Sequence, residues 1–567
     1  MRAPLIFACF LACAVSLPCM AQTPNIDPDR ASQQLRIHPD RGGTLNTAPS
    51  GAVLNSPGIA TAPAGAETLR FVLQDVRLQG VTAYKPAVLN RYVTPYIGRE
   101  ISVADLYAMA AAMTVRYRQD GYILSQVIIP DQDIAGGLVT FQAVEGYIRE
   151  VRVTGLDTNA RQQAYAYAKS LTTSRPLRIQ DMEHALHLIH ALPGIVAETL
   201  VMPSADAFAA ANLFITLQRV NWQGQMAFDN YGSRFLGPFQ TSAALVTNSL
   251  FGDNERITLQ MGAAPDDLST PEMTFASLAY AEPIGPWGTM IESHFSYALT
   301  QPGYTLRPFD IKGSALNTQV SLRQPFILRR NFTLSGWGTI EHHDVETENN
   351  IGDYRHDALR MLRLGAEAGL GDSWLGGGWT SLQVEYSKGL DLDGASQKGD
   401  PFLTRIEGNP QAEKWTAELQ RQQYLTSRLR MVGAIRGQFS EDALLSSEEI
   451  GLGGFGNGYG RGYDPSEVTG DTGVMGKIEV QWQETTQSPL LPSYEVYSFY
   501  DVGRIWNTDP TDDSLKRESL ASVGGGVRLN LPMNTLADVT VATPLTRRVS
   551  AHDDKDTRVF FSLSKGF

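Results

Sequence analysis

The chain has 567 residues, 43% of them apolar and 19% charged, which is enough apolar material for two or three packed domains and too much for a disordered chain. A formal charge of −13 leaves no surplus of cations to neutralise a phosphate backbone, so no nucleic-acid partner is expected. Past the N-terminus no apolar run reaches the roughly 18 residues of a membrane helix, which excludes a helical bundle in lipid; a barrel, whose lipid-facing residues alternate with polar ones, stays open.

Residues 1–21 read as a secretory signal. Met1 and Arg2 supply a positive start, Leu5 to Leu17 an apolar core, and Cys19-Met20-Ala21 a small-residue end suited to cleavage before Gln22. A retained membrane anchor is the weaker reading, because the apolar core is short for a span. Lipoprotein processing at Cys13 or Cys19 is weaker too, since Phe10 stands three before Cys13 and Pro18 directly precedes Cys19. Cys9, Cys13 and Cys19 all lie in this segment, so a chain cut at Ala21 has no cysteine and needs a large hydrogen-bonded scaffold in place of disulfides.

In residues 22–38, Asp27 offers a helix cap, Pro28 suits the first helical position, and no breaker occurs until Pro39. One helix of about ten residues, ~15 Å long, is expected. Residues 39–66, rich in Gly, Pro, Ala, Ser, Thr and Asn, read as a flexible linker.

An internal repeat follows. Asp75-Val76-Arg77-Leu78-Gln79-Gly80 recurs as Glu150-Val151-Arg152-Val153-Thr154-Gly155, and Ile101 to Leu106 recurs as Leu177 to Met182. Two small α+β units are expected, 67–147 and 148–220, each ordered strand, helix, helix, strand, strand. In the first these elements are Leu69 to Gln79, Lys85 to about Tyr96, Ser102 to Asp120, Tyr122 to Ile129 and Gly137 to Glu145. Ser102 and Asp105 form a capping box with Asp in place of Glu, and Gly121 ends that helix. His184, His187 and His190, at i, i+3 and i+6, suggest a metal by residue type, yet i and i+6 lie about 600° apart around a helix, and no metal or other cofactor is expected.

From Asn221 the period becomes 2. Ile257, Leu259 and Met261 alternate with Thr258 and Gln260, and Ile478, Val480 and Trp482 with Lys477, Glu479 and Gln481. About sixteen such segments, each with its loop taking roughly twenty residues, fit an antiparallel barrel over 221–567. A soluble sandwich or propeller is the competing reading, which periodicity alone does not exclude. Sixteen strands would enclose an aqueous channel, and strand edges on the preceding units could take up an extended peptide through main-chain hydrogen bonds, so the parts point to a polypeptide conduit. In the last strand Val559, Phe561, Leu563 and Phe567 share one parity, interrupted by Lys565.

The chain resembles the TpsB transporters of two-partner secretion, the ShlB/FhaC-like branch of the BamA-related superfamily. The motifs that carry the resemblance are Gly460-Arg461-Gly462-Tyr463, in the long segment 440–471 between strands eleven and twelve, and Phe499-Tyr500-Asp501-Val502-Gly503 on strand thirteen, the family's Phe-x-Asp-x-Gly pattern. Asn230 to Gly232, Gly237 to Gln240 and Ser522 to Leu531 also look like family signatures. By parity Asp501 and Phe499 share a face opposite Tyr500 and Val502. Arg461 is permanently charged and can form a two-pronged pair with a carboxylate.

The resemblance implies a mainly β fold: a 16-stranded transmembrane barrel preceded by two α+β POTRA domains and a plug helix. It implies that Arg461, Gly462 and Tyr463 fold back into the lumen, and that Arg461 meets Asp501 on a wall motif completed by Phe499 and Gly503. Phe561, Leu563 and Phe567 would serve as the signal to the barrel-assembly machinery. The implied function is ATP-independent export, across an outer membrane, of one unfolded TpsA-like exoprotein received by periplasmic POTRA domains, with outer-membrane lipids around the barrel and no enzymatic activity. The family's plug helix is usually longer than Pro28 to Ile37. Two rivals are a BamA-like assembly insertase and a barrel enzyme; for the latter His294, His342, His343 and His356 are candidates by type only, and Glu341-His342-His343-Asp344 reads as a solvated loop.

Overall fold

The computed structural model describes residues 26–35, 53–54, 58–59 and 61–567 apart from 266–270, 351, 353, 457, 509 and 511–515. The signal segment and most of the linker lie outside the described residues. A helix runs over Pro28–Leu35, and the Asp27 carboxylate caps it, accepting from the Asp29 and Arg30 amides at 2.9 and 3.2 Å. Within the segment read as a linker, Val53–Leu54 pairs in parallel with Leu200 and Val201 of the second α+β unit.

In the first unit, the helix Val103–Gln119 opens on the expected capping box: the Asp105 amide donates to Ser102 Oγ at 3.2 Å, and the Ser102 amide donates to the Asp105 carboxylate at 2.8 Å. Its buried face is Leu106, Met109, Ala110, Met113 and Tyr117, the spacing of an amphipathic helix. It covers a sheet in which Asp75–Gln79 runs parallel to Leu138–Val144 and Gln126–Ile128 runs antiparallel.

Three expectations are corrected. The strand expected over Leu69 to Gln79 breaks at Leu73, which is fully buried and turns its amide to the Arg99 carbonyl at 3.0 Å; the piece before it, Arg70–Val72, pairs instead with Glu100–Ser102. The helix expected from Lys85 to Tyr96 shrinks to Pro86–Asn90 and a 3₁₀ turn, Thr94–Tyr96, because Pro95 has no amide to continue it. The strand expected from Tyr122 starts at Gln126.

Glu145 ties this unit together. It accepts from the Thr82 and Ala83 amides at 2.9 Å each and from the Tyr117 hydroxyl at 2.7 Å, with the Thr82 hydroxyl as a fourth donor. Burial pushes its carboxyl up, but these donors outweigh burial and hold it below the ordinary glutamate range. A folded-state value lower than the unfolded one stabilises the fold above the unfolded pKa, and that increment disappears as pH falls through the folded one. The protection factor of the Val127 amide in the full chain, taken against the unfolded-chain exchange rate at each pH, should therefore fall on acidification below about pH 4, and Glu145→Gln should flatten this dependence; an unchanged profile would count against the role given to Glu145.

The second unit repeats the design. Tyr147–Gly155 runs parallel to Ala210–Arg219, Ile195–Pro203 runs antiparallel to it, and the helices Thr158–Ala168 and Ile179–His190 cover one face. His184, His187 and His190 are half-buried on the last helix, where burial pushes each imidazole down, and no metal-holding group of three occurs among the described residues. The same two helices dock on barrel turns. Asn159 donates to the Gly252 carbonyl at 2.9 Å and Gln163 to that of Gly285 at 2.7 Å. Leu188 lies so close to Gly288 that a Cβ there would meet it at 2.2 Å.

Sixteen strands, each antiparallel to its neighbours in chain order, close into a barrel. The outward face is apolar, as Leu259, Met261, Phe295, Leu322 and Ile340 show by their exposure. A soluble sandwich would hide such a row in its core, whereas here it girdles the outside. Trp287 and Trp374 stand at the end nearest the α+β units, and Trp415, Phe439 and Trp506 at the far end, which is how aromatic residues bracket a lipid-facing band. No described helix is long and apolar enough to cross a membrane.

The seam joins the first strand, Trp222–Asp229, to the last, Arg558–Gly566. Phe567 extends it, exchanging main-chain hydrogen bonds with Gly224 at 2.8 and 2.9 Å, and its ring lies over Gly224, where a Cβ would approach to 2.1 Å. Phe567 and Leu563 are exposed on the outer face, and Phe561 packs among Phe228 and Phe239. At the far end Asn230 closes the seam, accepting from the Phe561 amide at 2.7 Å and donating to the Val559 carbonyl at 3.1 Å.

Candidate functional site

Residues 441–471, between the eleventh strand (Leu429–Ser440) and the twelfth (Thr472–Thr485), fold back into the barrel. Buried main chain needs partners, and the loop supplies some through a short internal ladder, Ile450–Leu452 against Val468–Gly470.

At the loop tip, Arg461 reaches the thirteenth strand, Ser493–Trp506. Its Nη2 and Nε donate to the two oxygens of Asp501 at 2.8 and 3.0 Å, and its own amide and that of Gly460 donate to Asp501 Oδ2 at 3.0 and 3.2 Å. Nη1 pairs with Glu479 of the twelfth strand, and the guanidinium lies over the Phe499 ring, 3.6 Å from its centroid. Asp501 is wholly inaccessible to solvent and Arg461 is 6% exposed. Such a pair is held by geometry: a planar fork, two carboxylates, an aromatic face and two main-chain donors satisfy nearly every lone pair and proton.

Close approach makes this possible. A Cβ on Gly462 would come within 3.0 Å of the Pro544 nitrogen and of Ser522 Cβ, and one on Gly503 within 2.5 Å of Leu452. Replacing Gly503 by valine should displace Leu452 and cost about 1–3 kcal/mol by overpacking, read as a lower temperature for losing the compact band of the unheated barrel on a gel. Tyr463 is 1% exposed; its hydroxyl donates to the Ala521 carbonyl at 3.2 Å and accepts from the Thr546 and Arg547 amides at 3.2 Å.

Thus Arg461 meets Asp501 and Phe499 in one buried contact, and Gly462 and Tyr463 beside it pack on Ser522, Pro544 and the Ala521 carbonyl instead. Gly503 meets Leu452 of the loop, and Phe561, Leu563 and Phe567 lie at the seam. Of the other expected signatures, Tyr231 stacks on Phe455 of the loop at 4.3 Å, and Ser522 faces Gly462. The charge network is wider than expected from the motifs. Glu479 also accepts from Arg528 at 2.9 Å, and Arg528 lies over Tyr497 and reaches Asp538 at 3.1 Å. The signal available was the polar parity of Lys477, Glu479 and Gln481, which marks a lumenal face without naming a partner.

The N-terminal helix lies inside the barrel near its far end. Ala31 is buried with Ala264, Met273, Ala298, Ala315 and Val345 of the wall, and Arg30 donates to the loop carbonyls of Ser446 and Glu449. Glu341-His342-His343-Asp344, read as a solvated loop, lies instead within the seventh strand, Phe332–Glu348. Glu341 and His343 are buried and face the lumen, with His343 Nε2 3.9 Å from Asp29 of the helix. His342 and Asp344 point the other way, 2.8 Å apart, and Asp344 holds Arg360 at 2.8 Å. The outer apolar row ends at Ile340, so charged residues beyond it mimic loop composition while the strand continues. His294 and His356 sit on other strands, Thr289–Thr300 and Tyr354–Asp372.

The haemolysin secretion/activation protein model ShlB/FhaC/HecB matches residues 213–529, and a ShlB-type POTRA domain model matches residues 71–146. The chain belongs to the ShlB/FhaC/HecB family. This transporter is 23% identical over 490 residues to the outer membrane transporter CdiB of Dickeya dadantii, covering 84% of this chain and 83% of that protein. It is 22% identical to the heme/hemopexin transporter protein HuxB of Haemophilus influenzae strain 86-028NP, covering 95% and 94%. Its fold is shared with CdiB from Escherichia coli, at a TM-score of 0.70, 19% identity, and coverage of 95% and 96%. This ShlB/FhaC/HecB-family chain is an outer-membrane transporter of two-partner secretion, with its POTRA units on the periplasmic side, a reading the family and relatives favour over a barrel-assembly insertase. Transporters of this kind serve secreted TpsA-like exoproteins through their POTRA domains. The far end of the barrel is then extracellular and the long segment is its sixth extracellular loop.

Proposed function

We propose that this transporter exports a single large exoprotein of the haemolysin, adhesin or contact-dependent toxin type, unfolded and without ATP. The carrying observation is that a loop and a helix both lie inside a sixteen-strand lumen, where neither is needed to close the barrel. In this reading residues 67–147 and 148–220 receive the cargo, the helix of segment 22–38 and the loop 440–471 regulate the passage, and Arg461 clasping Asp501 sets the loop's resting position. Val53–Leu54 of the 39–66 segment covers the Leu200–Val201 edge of the second POTRA unit, an edge to which an extended peptide could add. Folding of the cargo outside would supply the driving force, since no Gly-x-x-x-x-Gly-Lys-Ser/Thr loop occurs in the sequence.

The same reading has residues 1–21 direct the chain to the periplasm. Phe561, Leu563 and Phe567 then present the last strand to the barrel-assembly machinery, and lipid surrounds the apolar belt. It assigns no catalysis. If a long, repeat-rich secreted protein is encoded beside it, co-expression should place that protein in the medium; its retention in the periplasm, with the barrel correctly inserted, would refute the assignment of cargo. Purified transporter should hydrolyse neither ester nor peptide substrates.

A further inference from the structure

Two neighbouring residues at the root of the lumenal loop enter two different chains of alternating charge. Glu448 accepts from Arg363 at 2.8 Å and from Lys414 at 2.6 Å, and Arg363 continues to Glu341 at 2.5 Å. Glu449 accepts from Arg405 at 3.1 Å, and Arg405 continues to Asp471, at the other end of the loop, at 2.6 Å. Arg30 of the N-terminal helix joins this second chain. Its Nη2 lies 3.9 Å from the Glu449 carboxylate and donates to the Glu449 carbonyl at 2.5 Å, while Nε donates to the Ser446 carbonyl at 2.8 Å. Main-chain ties run alongside: Lys414 and Gln438 donate to the Glu448 carbonyl at 2.8 and 3.0 Å, and Asp471 accepts from the Leu444 amide at 2.6 Å.

Each chain holds two acids and two bases, so its formal charge cancels only with every member present. Glu448 is 6% exposed and Asp471 wholly buried, a setting in which an unpaired charge is costly. The first chain links the loop root to the barrel wall. The second links it to a helix that is not part of the wall. The tip contact of Arg461 with Asp501 and Glu479 contains no residue of that helix.

We propose that Glu448 and Glu449 are positioning residues that make seating of the N-terminal helix and fixing of the loop root a single event, independent of the clasp at the tip. Departure of the helix takes Arg30 away. The Ser446 and Glu449 carbonyls then lose their guanidinium donor, and the Glu449 carboxylate keeps Arg405, which it shares with Asp471, and Thr469. The root is then held to the wall by the Glu448 chain and loosens while the tip stays clasped, so the helix is a strut for the loop as well as an occupant of the lumen. This deepens the reading of helix and loop as regulators of passage, and rests on it for its functional meaning.

Every cysteine of the sequence lies within its first 19 residues, so Ala443, 4% exposed at the loop root, can carry a lone reporter thiol as Ala443→Cys. Labelling of the purified, detergent-solubilised chain from Gln22 onward, which has no other cysteine, by a water-soluble maleimide should be slow. Adding Arg30→Ala should accelerate it at least about tenfold, the scale of one charge-assisted hydrogen bond. Glu448→Gln should do the same, and Arg461→Ala should change it less than about twofold. Arg30→Ala alters no barrel residue, so it decides the matter if Glu448→Gln does not fold. Labelling of Arg30→Ala at the parent rate, or of Arg461→Ala as fast as Arg30→Ala, would overturn the proposal. Export is scored separately: a loosened root with unchanged export would leave the coupling standing and remove the regulatory reading.

Discussion

Export by Arg461→Ala should fall to about a tenth of the parent rate or less, with the barrel still inserted in the outer membrane. The substitution leaves Asp501 and Glu479 as buried carboxylates without their guanidinium, and breaking a buried pair costs about 3–5 kcal/mol, far more than thermal energy can hold in place. The loop tip then has no reason to stay against the thirteenth strand, Gly462 loses the geometry that packs it on Ser522 and Pro544, and Tyr463 its hydrogen bonds to Ala521, Thr546 and Arg547. Lysine should not restore export, because an ammonium cannot bridge both Asp501 oxygens, reach Glu479 and stack on Phe499 together. Asp501→Asn tests the contact from the other side and should lose export to a similar degree. The measurement is cargo in the medium against cargo retained in the periplasm, normalised to heat-modifiable barrel in the membrane; parent-level secretion by Arg461→Ala would refute the role given to the clasp.

Removal of residues 22–38 should raise the conductance of the protein in planar lipid films several-fold. The described helix occupies the lumen beside the second to sixth strands, with Ala31 on Ala264, Ala298 and Ala315, and pinned by Arg30 to the loop. A sixteen-stranded barrel otherwise encloses a water-filled channel, so the space that the helix vacates should pass ions. The parent protein should open only in brief events as the helix leaves and returns. Equal conductance of parent and truncated protein would mean that the loop alone closes the passage, and the short helix would have no part in occlusion.

The run of strands was legible because its signal is collective. One strand such as Arg256–Pro265 is ambiguous, but sixteen alternations at even spacing are not, since only the pleat imposes period 2. The capping box at Ser102 and Asp105 was legible for the opposite reason, being local within four residues. Elements failed where distant residues decided them. Leu73 breaks a strand because the core of its own unit, built from Leu89, Ile101 and Leu106, takes its side chain, and the Glu341 to Asp344 segment looked like a loop because its charges face an ion network on one side and an extended rim on the other.

The candidate site divides the same way. Arg461 and Asp501 could be paired only through the family resemblance, parity adding that Asp501 faces the lumen, and Glu479, Arg528, Glu448 and Glu449 could not be paired at all, because alternation says that a side chain faces the lumen without saying what it meets there. By itself the amino-acid order determined some sixteen alternating strands behind two α+β repeats, for those properties follow from periods and caps within short windows; that the strands close into a barrel was decided by tertiary structure. Only tertiary structure decided which lumenal charges neutralise one another, because in a space so little exposed to water each ion takes whichever counter-ion the closed wall, the infolded loop and the helix bring within about 3 Å.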